Sequence, residues 1–309
     1  MLIATHSGKF HADDVWAVAV LDMVFPGSEL VRTRDPEIIG RADFAVDVGG
    51  AWDAASGRFD HHQKGFQGAR ASGVVYASAG LVWKEFGARC VSLVAKERTG
   101  QDLNAEQARD IAYAVDADLV QYLDMSDTGA ARNAPGGYGL SAIVSGFNPN
   151  WLDEQVAGDG AEALRMERFR RAMALAADIL VNNVVYRVGA LLAVQQVRQA
   201  ERLENRRVLF LENSALPWAA IVRNEMPEVL FVISHSAAEQ RYMIHTVPAA
   251  ADTFEARKDL PRSWAGLQGA ELAAVTGVPD AVFCHNNVFI AACKSYEGIR
   301  EMARLALAA

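Results

Sequence analysis

The sequence predicts an α/β fold in two parts, and three observations carry that expectation. In the first half, short apolar or β-branched runs alternate with helical stretches, the pattern of a mainly parallel sheet with flanking helices. From about residue 161 to 205 the chain is rich in Ala, Leu, Glu, Arg and Gln, with Gly189 as its one glycine, which reads as one long helix or two joined ones. Beyond it the strand grammar restarts. The expected organisation is therefore a first domain over 1–160, a helical connector over 161–205 and a smaller α/β domain over 206–309.

The elements follow in order. Leu2 to Thr5, Leu30 to Thr33 and Phe44 to Val48 are strand candidates, and Asp13 to Val24 reads as a helix with Val15, Val18 and Leu21 or Asp22 on successive turns. Ser72 to Phe86 is a second amphipathic helix. Asn104 opens a third, with Gln107 three residues on as in a capping box. In the last part, Val208 to Leu211, Val229 to Ser234, Tyr242 to Val247, Ala281 to His285 and Val288 to Ala292 read as strands, and a helix begins near Glu297. No internal repeat or low-complexity tract interrupts this plan.

Composition narrows the class. Of 309 residues, 51% are hydrophobic and 22% charged, which supplies enough apolar surface for a core and excludes a mainly disordered chain. A net charge of -8 argues against coating long duplexes through the overall field. Cys90, Cys284 and Cys293 are odd in number and lack metal-type spacing, which fits core or surface thiols in a reducing cytosol. The start carries no basic, then apolar, leader, and no run approaches the roughly 18–20 apolar residues needed to span a bilayer. A cytoplasmic protein with no membrane partner is the expectation. Ala-rich amphipathic helices suit either pairing into a homo-oligomer or packing within one chain.

Four His and Asp clusters fall at or near the ends of the early elements, where open α/β sheets bind ligands. Thr5-His6-Ser7-Gly8-Lys9-Phe10-His11-Ala12-Asp13-Asp14 follows the first strand, and Gly8 relaxes a turn that can fold two imidazoles and two carboxylates together. Asp47 leaves an apolar strand just before Gly49-Gly50. Asp60-His61-His62-Gln63 places adjacent histidines on opposite sides of an extended segment, so that one can ligate while the other meets substrate or an outer partner. Asp116 and Asp118 end a helix. Taken singly, Asp47 and Asp116 read as turn or cap residues; the four clusters in order on one α/β half read as a site. Mixed His and carboxylate donors suit Mn²⁺ or a similar first-row divalent ion better than Ca²⁺. One or two such ions, with a carboxylate between two of them, suit in-line hydrolysis of a phosphoester.

The order of these motifs resembles the signature of the DHH phosphoesterase superfamily, and most closely its Myg (melanocyte-proliferating-gene) branch. Thr5 to Asp13, Val31-Arg32-Thr33-Arg34-Asp35-Pro36, Val46-Asp47-Val48-Gly49-Gly50 and Phe59-Asp60-His61-His62-Gln63 carry the likeness. It continues through Pro217-Trp218, Val247-Pro248, Trp264-Ala265-Gly266-Leu267 and Phe283 to Ile290, and so covers essentially the whole chain. The resemblance implies a DHH-type catalytic domain followed by a substrate-binding one. It implies His6, His11, Asp13, Asp47, His61 and Asp116 as metal ligands, with Asp60 and His62 as their partners in catalysis. Where other superfamily members open with His-x-x-x-Asp-x-Asp, His11 stands here at the place of the first Asp.

In two-domain relatives the second domain supplies substrate contacts, which makes Arg257, His285, Asn286 and Lys294 candidates to hold a phosphate or sugar. Trp218 and Trp264 suit either base stacking or packing, with packing the better fit. The expected function is a divalent-metal phosphodiesterase, a 3′-to-5′ exonuclease on short or single-stranded RNA. Two alternatives stand beside it: a hydrolase of a dinucleotide, pyrophosphate or small phosphorylated metabolite, and a binding protein with a closed structural metal site.

Overall fold

The computed structural model describes residues 1–130, 139–251, 253 and 255–309. It is a mixed α/β molecule with two sheets, and the chain divides into two compact units, Met1–Val188 and Gly189–Ala309.

In the first unit, β1 (Leu2–Thr5), β2 (Glu29–Arg32), β3 (Phe44–Val46), β4 (Trp52–Asp53) and β5 (Arg58–Phe59) form a sheet in the order β2-β1-β3-β5-β4. β2, β1, β3 and β5 run parallel, and only β4 pairs antiparallel. The mainly parallel sheet is the one the sequence predicts. β1 has the expected bounds; β3 stops at Val46 because Asp47 turns to a positive φ of 53°.

Helix α1 (Ala12–Val24) is buried along nearly its whole length, including Val15, Trp16, Val18 and Leu21, as befits an element covered on every side. α2 (Pro36–Arg41) is a short helix capped by the Asp35 side chain, which accepts from Glu37 N at 2.8 Å. α3 (Ser78–Thr99) packs against α1 and closes on Gly100 in the left-handed conformation. It starts six residues later than the hydrophobic pattern suggests, since Ser72 to Ala77 is held in turns and bridges. α4 (Ala105–Val115) opens with the predicted Asn104 and Gln107 capping box, both bonds present at 2.9 and 3.0 Å. One wide turn over Asp116–Val120 joins it to α5 (Gln121–Asp127), and α6 (Leu140–Ser145) and α7 (Trp151–Ala157) follow.

The stretch read as a connector is one continuous helix, α8 (Ala161–Gln199), running through Gly189. Phe169, Ala172, Ala176, Leu180, Val184 and Val188 are buried at helical spacing and form its stripe in the first unit. The helical stretch Trp151–Gln199 contains an 18-residue window of mean hydropathy 1.4, long and apolar enough to cross a membrane by length and composition, with 22% of that window buried. That departs from the expectation that no run approaches such a length; the polar Asp178, Asn182, Asn183 and Arg187 punctuate the stretch and hide it from a reading of apolar runs.

The second unit holds a six-stranded sheet of β6 (Glu201–Leu203), β7 (Val208–Leu211), β8 (Phe231–Ser236), β9 (Arg241–Thr246), β10 (Ala281–Cys284) and β11 (Ile290–Cys293), in the order β10-β11-β9-β8-β7-β6. Only β7 and β8 pair in parallel. The helices of this unit are α9 (Ala219–Glu225), α10 (Gly269–Thr276) and α11 (Tyr296–Ala308). α11 lays Ile299, Met302, Ala303 and Ala306 on a core with Phe231, Ile233, Ile244 and Ala291. Trp264 is buried in this core and Trp218 packs beside a second cluster around Leu209 and Val232. All three cysteines are free and buried, which pushes the thiols of Cys90 and Cys293 up to about 12 and that of Cys284 to about 11.

Candidate metal centre

Parallel strands deliver the chemistry to one end of the first sheet. His6 follows β1, Asp47 follows β3, Asp60-His61-His62 follows β5, and Arg34 lies two residues beyond β2. Because these strands run the same way, their carboxyl ends open on one side, where α/β sheets place ligands. α1 starts against the same edge with Asp13 and Asp14 in its first turn. A cavity of about 630 Å³ lies there, lined among others by His6, His11, Asp47, Asp60, His62 and Asp127.

Asp47 is the centre of the arrangement. Its Oδ2 lies 3.4 Å from His6 Nε2, and its Oδ1 lies 3.3 Å from His62 Nδ1 and 3.7 Å from His61 Nδ1. Two sets of convergent donor atoms share it: His6, His11, Asp14 and Asp47 form one, Asp47, Asp60, His61 and His62 the other. A third set joins Asp13, His61 and Asp127, with His61 Nε2 3.2 Å from Asp127 Oδ2. A non-glycine residue at φ 53° costs local strain, and such strain collects where a side chain must be aimed.

The donor chemistry fits a divalent cation. His6 Nε2 and Asp14 Oδ2 are buried 3.3 Å apart with no hydrogen-bond partner, a cost that a cation between them would remove. His6 Nδ1 lies 3.1 Å from the Ser7 carbonyl, so the proton belongs on Nδ1 and the Nε2 lone pair faces the carboxylates. Asp60 holds His62 in the same manner, Oδ1 accepting from Nδ1 at 2.8 Å, while Asp60 Oδ2 accepts from Gly50 N at 2.6 Å. The Ser78 hydroxyl bridges the groups, 3.3 Å from both Asp47 Oδ1 and His61 Nδ1.

The electrostatics agree. Burial raises Asp13 well above the usual carboxylate range, with Asp47, Asp127 and Asp124 adding like charge. Burial lifts Asp14 to about 7 despite the opposing pull of His6. Burial also acts on Asp47, but the neighbouring imidazoles of His6, His62 and His61 outweigh it and hold this carboxyl well below its ordinary value. His62 is pushed up to about 9, first by its contact with Asp47 and then, against partial burial, by Asp60. Crowded carboxylates facing histidines are an unbalanced set without a counter-cation.

Of the residues expected from sequence, His6, His11, Asp13, Asp47, Asp60, His61 and His62 are brought together. Asp116 is not. Its carboxylate is held by Arg70 through two bonds of 2.7 Å, and Arg70 Nη1 meets buried Asp124 at 2.7 Å; the neighbouring Asp118 pairs with Arg187. Asp127, three turns further on, is the carboxylate of this helical stretch that reaches His61, and Asp14, the second carboxylate of the first cluster, stands by His6, whereas the resemblance implied Asp13 as the ligand. Asp13 is turned toward α3, accepting from Ser78 N and Ala79 N at 3.0 and 2.6 Å.

In the second unit, Arg257 donates to the carbonyls of Met226, Val229 and Arg223 at 2.7–2.8 Å, so its charge serves that unit's own backbone. His285 Nδ1 accepts from Asn287 N at 3.1 Å and its ring lies on Phe289. Asn286 packs by Gly266, and the backbone N–H of Lys294 donates to Asp280.

Comparison with known proteins places the chain. The model of the Uncharacterised protein family (UPF0160), the MYG1 exonuclease model, matches residues 2–307. A MYG1 protein of Schizosaccharomyces pombe is 30% identical over 99% of this chain and 97% of its own length. The human MYG1 exonuclease is 29% identical over 99% of this chain and 85% of its own, and the mouse MYG1 exonuclease 30% identical over 99% and 84%. With similarity that runs from end to end, this chain belongs to the MYG1 family.

Proposed function

We propose that this protein is a divalent-metal phosphodiesterase of the DHH type, a 3′-to-5′ exonuclease acting on short or single-stranded RNA. The observation that carries the reading is the position of Asp47, shared by two sets of His and Asp donors at the open end of a parallel sheet. The names of the human and mouse relatives support a nuclease. His6, Asp14, Asp47, Asp60 and His61 would hold a divalent ion, Mn²⁺ by their mixture of imidazole and carboxylate, which when bound would supply Lewis-acid polarisation of a phosphoryl oxygen and activation of water.

The chain's own residues do the rest. Asp47 keeps its charge against burial and holds both donor sets in register. Asp13 and Asp127 flank His61, and Ser78 fixes the other face of that imidazole. Asp60 takes His62 Nδ1, which leaves Nε2 to hand a proton to the departing oxygen, a role that suits an imidazole raised to about 9. A cavity of about 630 Å³ suits a terminal nucleotide, and the acidic surface favours short substrates.

The test is an assay of 3′-labelled and 5′-labelled single-stranded RNA beside a dinucleotide and pyrophosphate, with Mn²⁺, Mg²⁺ or chelator. Stepwise Mn²⁺-dependent shortening from the 3′ end, lost in His61→Ala, is the expected result. Turnover of the small substrates alone would replace the exonuclease by a small-molecule phosphohydrolase, and no turnover at all would leave a metal-containing binding protein.

A further inference from the structure

Resting on the phosphodiesterase reading of this site, we propose that Arg34 is its phosphate-binding cation, the side chain that grips a non-bridging oxygen of the phosphate presented to the Asp47 cluster. Arg34 lies just past β2, at the same open sheet edge as the His and Asp donors, and it is the one Lys or Arg among the described residues that lines the cavity. The other walls near it are His6, Asp47 and the Gly49-Gly50 turn.

What sets Arg34 apart is that no carboxylate neutralises it among the described residues. Arg32, two residues earlier, is sunk between Phe10 and Phe169 and satisfied by Glu162 and the Gly8 carbonyl; Arg70 is satisfied by Asp116 and Asp124. Among the described residues Arg34 forms no ion pair, and its nearest polar neighbour is His6 Nδ1, 3.5 Å from Nη2. His6 Nδ1 is already drawn to the Ser7 carbonyl at 3.1 Å, so the guanidinium has one long, shared contact there and no anion.

The exposed Asp35 does not supply one, because its carboxylate is taken by Glu37 N. A phosphate entering the cavity supplies what is missing: oxygens in a plane that a guanidinium fork matches in two bonds. The local charge favours such a group as well. Asp13, Asp14, Asp47, Asp60 and Asp127 crowd the cluster, and a fixed cation at the entrance, added to the divalent ions these groups would hold, offsets their repulsion of an anionic substrate.

The experiment uses the full-length, Mn²⁺-loaded protein, with inorganic phosphate as the probe in a calorimetric titration and the labelled RNA in steady-state kinetics, for wild type, Arg34→Gln and Arg34→Lys. Removing one charged, two-bond contact weakens phosphate binding by about tenfold or more, with bound Mn²⁺ and melting temperature unchanged. Arg34→Lys recovers part of that loss, because a point charge replaces a fork. Phosphate affinity within about twofold of wild type in Arg34→Gln, or no phosphate binding by the wild type, overturns the assignment. The two readings fail separately: RNA shortening with phosphate affinity insensitive to Arg34 removes Arg34 alone, whereas Arg34-dependent phosphate binding without RNA turnover keeps the anion site and removes the exonuclease.

Discussion

Asp47 concentrates the chemistry of this protein in one side chain. It sits where β3 gives way to a left-handed turn, and its two oxygens face His6 on one side and His61, His62 and Ser78 on the other. Asp47→Asn keeps the shape and removes the charge. Hydrolysis should fall by more than about 100-fold, beyond the loss typical of an outer partner, while the far-ultraviolet dichroism stays that of the wild type. Retention of full activity would remove Asp47 from the centre. Much of this was legible in the sequence, because His6 and His11 follow the apolar run of β1 and Asp47 follows that of β3, while Asp60-His61-His62 stood out by residue type alone, the strand before it being only Arg58–Phe59. Asp127 was not legible. Asp116, Asp118, Asp124 and Asp127 lie on one helical stretch, and periodicity gives a stripe without saying which height meets the site. The height is set by contacts distant in sequence: Arg70 takes Asp116 and Asp124, which leaves Asp127 to reach His61.

At the scale of elements, the N-terminus of α3 organises the site. Its first N–H groups are taken by buried carboxylates from elsewhere in the chain, Ser78 N and Ala79 N by Asp13 and Gly80 N by Asp124 at 2.9 Å. The positive end of a 22-residue helix favours that negative charge, so α1, α3 and α5 are tied where the ligands lie. Gly80 is required by this closeness, since a Cβ there would run into the Asp124 carboxylate. Arg70 completes the tie, with its side chain only 7% exposed and that of Asp124 fully buried. Arg70→Leu leaves Asp124 buried without its cation. A loss of roughly 3–5 kcal/mol in denaturant unfolding is expected, and a loss below about 1 kcal/mol would mean that the pair carries little. The sequence announced the capping box at Asn104 and the bounds of β1, where the cause is local. It misplaced the start of α3, because the residues before Ser78 are shaped by that distant carboxylate contact.

At the scale of the molecule, the metal-free protein carries a definite pH signature. Burial raises both Asp14 and Asp124 to about 7, and His62 stands at about 9 through Asp47 and Asp60. A group whose folded value lies above its unfolded one stabilises fully below the unfolded value and loses that contribution as pH rises through the folded one. For the two acids the loss runs from about pH 4 to beyond 7, and for His62 from about 6.5 to 9. All three work in one direction between pH 6 and 8. The chelated protein should therefore melt at a lower temperature at pH 8 than at pH 6. Mn²⁺ needs deprotonated ligands, so the rise in melting temperature that it gives should be larger at pH 8. An Mn²⁺ effect independent of pH would separate the metal from these carboxylates.

The measurement that tests the central claim most directly is anomalous diffraction from crystals grown with Mn²⁺, recorded at the manganese edge. Manganese density at the Asp47 carboxylate, beside His6 and Asp14 or beside Asp60 and His61, is the predicted result. Strong manganese peaks elsewhere with none at Asp47 would contradict the account.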